Sequence, residues 1–472
     1  MMRRVLIANR GEIACRVIRS CHSMGLETVA VYSLADENAQ HVAMAHTAMP
    51  IGGSPASESY LRTEAILEAA KASGADALHP GYGFLSENAN FARAVEAAGL
   101  VWIGPRPDSI ADMGDKERAR SIAISAGLPV LPGSLRFNVG DPRESTGDLE
   151  ARLFSAAEAT GYPLLVKAAA GGGGIGMRLV ERCEELIAAV TATQSMAARA
   201  FGDASVYLER FIVVARHVEI QVFGFGDGRA IHLYERDCSI QRRFQKIIEE
   251  SPAPGLSDTS RDAMAAAAVA LCQLQRFRGA GTVEFVVDAA TQTFYFLEMN
   301  TRIQVEHPVT EMNTGTDLVA MQLQLAAGLP IAFQDQSAIR ARGHAIECRL
   351  YAERPAKGFL PSVGILSRFH MPAQTRDLRI ESGVREGDRV TQYYDPMLAK
   401  LIAHGETRGD AIEHLARALR EVEVAGVETN LAFLIRVLEH PAFCAGQVST
   451  GFVELHRHDL LTSFSPVVPA TA

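Results

Sequence analysis

The nine residues Glu298 to Glu306, reading Glu-Met-Asn-Thr-Arg-Ile-Gln-Val-Glu, constrain this chain more than any other segment. The even positions Glu298, Asn300, Arg302, Gln304 and Glu306 are charged or amide; the odd positions Met299, Thr301, Ile303 and Val305 are mostly apolar. In an extended chain successive side chains point to opposite faces, so the spacing predicts a strand with one polar and one apolar face. The strand-like stretch Thr293 to Leu297 precedes it, which places the polar row's start inside the protein. Buried charges are costly unless paired or bound to a metal. Two readings follow from alternation alone: an edge strand with a salt-bridged outer face, or a site that holds a cation and an anion together.

A second predicted strand, Gly281 to Asp288, precedes this row by a short turn. The two pair as a hairpin, which brings Glu284 near Glu298. Two carboxylates and the Asn300 amide oxygen are hard ligands suited to Mg²⁺ held with substrate phosphates. Dense polar chemistry continues through His307 to Glu311.

The chain has 472 residues, 48% hydrophobic and 21% charged, as expected of a soluble enzyme of two to four domains. A net charge of −9 argues against non-specific nucleic-acid binding, which needs a basic footprint. No apolar run approaches the ~18–20 residues of a membrane span. Asn9, Arg10, Glu12 and Arg16 follow the apolar N-terminal stretch at once, so it does not read as a signal peptide. Seven scattered cysteines without a Cys-x-x-Cys pair fit reduced thiols and a cytoplasmic location.

The first ~110 residues alternate strands and helices, which implies a doubly wound parallel sheet. The strand ends, where function gathers in such sheets, carry Asn9 to Glu12 and His79 to Phe84. Each is also readable as a simple tight turn. The glycine-rich segment Lys167 to Arg178 contains Gly171, Gly173 and Gly176 in dinucleotide spacing, but Met177 to Val180 continues as a strand where a dinucleotide site needs a helix. A strand–glycines–strand hairpin can fold over a triphosphate, with Lys167 and Lys116 neutralising charge. It can equally be a flexible hairpin with two solvated lysines.

Read together, Ile7 to Ala14, His79 to Asn88, Met113 to Lys116, Gly171 to Gly176, Glu235 to Arg243 and Glu298 to Glu311 resemble biotin carboxylase of the ATP-grasp superfamily. The resemblance covers about residues 3–455, and its C-terminal third, including Tyr393 to Met397 and Gly426 to Asn430, is closest to acyl-CoA carboxylase α chains. It implies an α/β protein: an N-terminal Rossmann-like domain (1–114), a helical linker (115–140), an ATP-grasp lid (141–212), an ATP-grasp core (213–335), a C-terminal mixed domain (336–460) and a flexible tail (461–472).

The resemblance also implies roles. Lys116, Lys167, Gly173 and Gly174 would meet ATP phosphates. Glu209, Phe211 and Ile212 look like the hinge at adenine, with His217 and Gln241 on the nucleotide side. Glu284, Glu298 and Asn300 would hold Mg²⁺ or Mn²⁺, two ions in all. Lys246, Arg302, Gln304, Val305 and Glu306 resemble the bicarbonate pocket, with Glu306 as base. Arg349 and Tyr82 would face biotin. ATP and bicarbonate are the implied substrates, and a biotin carboxyl carrier domain, a carboxyltransferase subunit and a second copy of the chain the implied partners. Ile175 stands where the family often has a basic residue, and Phe244 where it more often has histidine or asparagine. The 472 residues hold no Met-Lys-Met motif, so the carrier biotin is expected on another chain.

Overall fold

The computed structural model describes residues 2–137, 146–169 and 177–461. Gly171 to Gly176, with Gly173, Gly174 and Ile175, and nearly all of the expected flexible tail lie outside the described residues. The chain divides into two compact units, one formed by 1–128, 216–285 and 298–472, the other by 129–215 and 286–297.

The larger unit begins with strands β1 (Arg4–Ile7), β2 (Glu27–Ser33), β3 (Thr47–Gly52), β4 (Ala77–His79) and β5 (Val101–Trp102). Every pairing is parallel, in the order β3-β2-β1-β4-β5. Helix α1 (Gly11–Ser23) follows β1 and buries Ile13, Ala14, Val17, Ile18 and Cys21. This spacing is that of one helical face. The expected doubly wound parallel sheet is present. β3 carries Pro50 and has little apolar patterning, so sequence reasoning missed it.

The strand ends that the sequence singled out are fastened together. Asn9 Nδ2 donates to the carbonyls of Pro80 and Tyr82, both at 2.7 Å. Gly81 between them has φ +63°, and a Cβ there would lie 2.9 Å from the Asn9 amide nitrogen. Glycine answers both the backbone conformation and the close approach.

The second sheet of this unit is antiparallel along most of its width. Its strands are β9 (Ala215–Phe225), β10 (Ala230–Arg242), β11 (Gln245–Ser251), β12 (Arg278–Asp288), β13 (Phe294–Asn300), β14 (His344–Tyr351), β15 (Leu378–Ser382) and β16 (Met397–Gly405). They lie in the order β13-β12-β9-β10-β11-β14-β16-β15. Helix α2 (Arg408–Arg420) follows β16 and opens on a capping box between Thr407 and Asp410. Leu415, Leu419, Phe433, Leu434 and Phe443 fill one core with Ile346, Leu350 and Leu401 of this sheet.

The smaller unit holds a three-stranded sheet of β6 (Leu164–Ala168), β7 (Met177–Val180) and β8 (Val206–Arg210), in the order β7-β6-β8. β6 and β7 pair antiparallel, Lys167 opposite Met177, so the glycine-rich segment joins two strands and not a strand and a helix.

One expectation is corrected. The polar row is a strand only to Asn300. The Thr301 N–H is taken by Glu87 Oε1 at 3.1 Å and so is lost to a ladder. Pro308 then starts a helix, His307–Thr314. Residues 301–306 are an irregular crossing, and Glu298 at the strand end is exposed while Asn300 is 7% exposed.

Candidate functional site

Seven neighbouring strands of the second sheet each place polar side chains in one region, and the 301–306 crossing runs over it. β13 supplies Glu298 and Asn300, β12 Glu284, β9 His217 and Glu219, β10 Gln241, β11 Lys246 and Glu249, β14 Arg349, and β16 Lys400.

Lys246 is the centre. Its Nζ donates to Glu219 Oε2 and Glu306 Oε1 at 2.7 Å and to Glu284 Oε1 at 2.9 Å, and lies 3.3 Å from Gln304 Oε1. Burial opposes the ammonium charge, but Glu219, Glu284 and Glu306 outweigh it and hold Lys246 charged. Burial likewise opposes ionisation of Glu306, and Lys246, Arg349 and Arg236 reverse that, holding it well below the usual carboxylate range. Glu284 is held down in the same way by Lys246 and His217, whose Nε2 lies 2.8 Å from Glu284 Oε2. His217 is in turn raised by Glu284 against its burial, and its Nδ1 contacts Gln241 Nε2 at 2.9 Å.

The crossing is knitted to this cluster. Gln304 Nε2 donates to Glu284 Oε1 and Asn300 Oδ1, both at 2.8 Å. Arg302 Nη2 donates to Asn300 Oδ1 at 2.8 Å and its Nε to Glu87 Oε2 at 2.9 Å. Lys400 Nζ donates to the Val305 carbonyl at 2.7 Å. Glu306 spans two cations: Oε1 faces Lys246 and Oε2 accepts from Arg349 Nη2 at 3.0 Å. Arg349 forms ion pairs with Glu306 and Glu249, while Glu353 pairs with Arg242.

The donor chemistry at Glu284, Glu298 and Asn300 suits a hard divalent cation. Asn300 Nδ2 reaches Glu298 Oε1 at 3.3 Å. Enclosure on its protein side, then the Glu284 carboxylate, push Glu298 up. Two carboxylates in mutual repulsion with an amide oxygen beside them are the oxygen set Mg²⁺ takes. In the present arrangement Glu284 is engaged by Lys246, Gln304 and His217, so an ion would compete for that carboxylate.

A cavity of about 440 Å³ opens beside the cluster, lined by Glu12, Tyr82, Val305, Arg349, Tyr394 and Asp395 among others. The Tyr82 hydroxyl donates to Glu12 Oε1, and Lys400 Nζ lies 3.2 Å from the same carboxylate. Arg349, Tyr82 and Val305, named from sequence, thus share one cavity.

Lys116 opens a helix, Lys116–Ser125, and is exposed. In the smaller unit Lys167 on β6 pairs with Glu209 on β8. The Phe211 N–H is already used by the Pro163 carbonyl at 2.9 Å, and Ile212 follows it, half-buried. Phe244 sits at φ +64° in the turn between β10 and β11, 79% exposed.

Sequence reasoning missed Glu87, Glu219, Glu249 and Lys400. Glu87 lay within a motif already singled out, three residues past the tight turn. The other three sit on strands whose neighbours in space are remote in sequence, and no local signal marks them.

Residues 1–110 match the biotin carboxylase N-terminal domain, 115–333 the ATP-binding domain of the carbamoyl-phosphate synthase L chain, and 347–455 the biotin carboxylase C-terminal domain. Biotin carboxylase 2 of Bacillus subtilis is 50% identical over 456 residues, covering 97% of this chain and all of that one. The mitochondrial methylcrotonoyl-CoA carboxylase subunit alpha of Dictyostelium discoideum is 48% identical over 98% of this chain, which spans only 65% of that relative's length. The biotin carboxylase domain dimer of Hydrogenobacter thermophilus 2-oxoglutarate carboxylase, solved with MgADP, ADP and bicarbonate, superposes with a TM-score of 0.88. It is 41% identical and covers 99% of this chain and all of that one. With full-length identity of this order to a biotin carboxylase and domain matches in the same sequence, the chain belongs to the biotin carboxylase family.

Proposed function

We propose that this chain carboxylates biotin with bicarbonate at the expense of ATP, giving ADP and phosphate, as the first half-reaction of a biotin-dependent acyl-CoA carboxylase. The observation that carries this is the joining of an anion pocket and a cavity through Glu306, which touches Lys246 on one side and Arg349 on the other.

Bicarbonate is a weak nucleophile, and phosphoryl transfer turns it into carboxyphosphate. Lys246, Arg302 and the Gln304 amide would hold the bicarbonate, the cations neutralising charge that spreads during transfer. As Lys246 and Arg349 turn to incoming anions, Glu306 loses the pairing that depresses it and becomes a better base for the bicarbonate proton. Glu284, Glu298 and Asn300 would hold Mg²⁺ or Mn²⁺, which when bound shields phosphate charge. Lys116, Lys167, Gly173, Gly174, the hinge at Glu209, Phe211 and Ile212, and the pair His217 and Gln241 are assigned to the nucleotide.

Carboxyphosphate breaks down to CO₂ and phosphate, and phosphate takes the ureido N–H proton of biotin, leaving an anion whose nitrogen bonds to the CO₂ carbon. The resulting anion is what the Arg349 guanidinium would stabilise, with Tyr82 lining the cavity. A biotin carboxyl carrier domain, a carboxyltransferase subunit and a second copy of the chain are the proposed partners, in the cytoplasm. Phosphate release with and without bicarbonate, and with and without free biotin, tests the reading. Bicarbonate dependence with stimulation by biotin is expected; equal rates in all four conditions would overturn it.

A further inference from the structure

We propose that Glu249 and Glu347 form a carboxyl pair sharing one proton, which positions the Arg349 guanidinium between Glu306 and the cavity. This rests on Arg349 facing biotin, as proposed above.

The register of β11 and β14 sets Glu249 directly opposite Glu347. Both side chains are fully buried. Glu249 Oε1 is met by Arg349 Nη2 at 2.5 Å. Beyond that contact, none of the four carboxylate oxygens has a hydrogen-bond donor from another side chain or the backbone among the described residues. The same Arg349 nitrogen donates to Glu306 Oε2 at 3.0 Å. One guanidinium is thus drawn from behind by Glu249 and from the site by Glu306.

Two carboxylates facing each other in a dry interior do not both ionise. The charged groups around the pair are Arg349 on β14, Lys246 on β11, Lys400 on β16 and Glu306 on the crossing, with the thiols of Cys238 on β10 and Cys348 on β14. Burial raises Glu347 well above the carboxylate range despite Lys400, so it keeps the proton. Burial, opposed by Arg349 and aided by Glu306, brings Glu249 to about 7. Glu249 is the member in contact with Arg349. When charged, it draws the guanidinium back from the cavity; when neutral, it leaves that cation to the anion in front.

Glu249 and Glu347 are positioning residues, since neither lines the cavity. The test uses the full chain and two rates: bicarbonate-dependent ATP cleavage without biotin, and carboxylation of free biotin. In the unsubstituted protein the ratio of carboxylation to cleavage should fall by up to about tenfold between pH 6 and pH 8, one unit on either side of the titration. Glu249→Gln should flatten that dependence. Glu347→Gln keeps the shape of a protonated acid but replaces the shared acid proton by a weaker amide donor, and should move the fall to higher pH. Infrared difference spectra should show a buried protonated carboxyl that Glu347→Gln removes, a readout independent of turnover. A pH profile unchanged by Glu249→Gln, or a carboxyl band unchanged by Glu347→Gln, would overturn the proposal. Failure of the functional reading is distinct: the unsubstituted protein would then show no biotin carboxylation at any pH.

Discussion

Arg302 Nε donates to Glu87 Oε2 at 2.9 Å, joining the middle of the polar row to the loop after β4 across 215 residues of chain. Glu87 also accepts the Thr301 N–H, so one carboxylate ends the strand and aims the cation. Burial opposes the Arg302 charge and Glu87 outweighs it.

Glu87→Gln keeps the shape and removes the charge. Glu87 is partly exposed, so its pairing is worth about 1 kcal/mol and bicarbonate-dependent turnover should fall about fivefold. Steady-state kinetics with varied bicarbonate check it; an unaltered kcat/KM for bicarbonate would show that Arg302 needs no aiming.

Glu284→Gln and Glu298→Gln should raise the metal–ATP requirement, because these carboxylates are assigned to the ground-state cation. Arg302→Ala should mainly lower the maximal rate, by about 10²–10³, because it faces charge that develops during transfer. Initial rates with varied MgATP separate the two. A rise only in the ATP KM of Arg302→Ala would contradict the assignment.

Glu250 offers a stability test away from the chemistry. Burial opposes its ionisation, but His344 and Arg408 hold it below its ordinary value. Arg408 Nε reaches Glu250 Oε2 at 2.6 Å and His344 Nε2 reaches the same oxygen at 2.8 Å. Because the folded value is depressed, the stabilisation is present above the unfolded carboxylate pKa of ~4.3 and is lost as pH falls through the folded one. Glu250→Gln should cost about 3 kcal/mol at pH 7. That deficit should shrink below pH 4, which melting curves across pH will show.

Gly383 packs against the first residues of helix α1. A Cβ there would lie 2.3 Å from the Glu12 backbone nitrogen. Gly383→Ala should therefore push on the segment that carries Glu12, the partner of Tyr82 and Lys400. A loss of about 1–3 kcal/mol is expected from overpacking. Biotin carboxylation should fall more than biotin-independent ATP cleavage, read by running both assays on the folded variant.

The parallel sheet was legible in four of its five strands, which are short apolar runs separated by helical spacing; β3, with Pro50 inside it, was not. The pairing of β12 with β13 was legible because only a tight turn separates them, and it brought Glu284 and Glu298 into view. The 301–306 crossing was misread as strand because its alternation continues past Asn300; the Glu87 carboxylate that ends it comes from a distant loop. Glu219, Glu249 and Lys400 were illegible for the same reason. A lone Glu or Lys in an apolar strand reads as a solvated position until the register brings its counter-charge.

The sheet order has a consequence for synthesis. A nascent chain emerging through residue 306 already contains Lys246, Glu284, Arg302 and Glu306, yet β11 is still an open edge, since its neighbour β14 begins only at His344. An open edge invites pairing with another chain. Arg349 and Lys400 arrive later still, on the strands that close that edge. The polar cluster and the cavity beside it are therefore completed only when two late strands add to the sheet, and a half-made molecule carries an open edge until then.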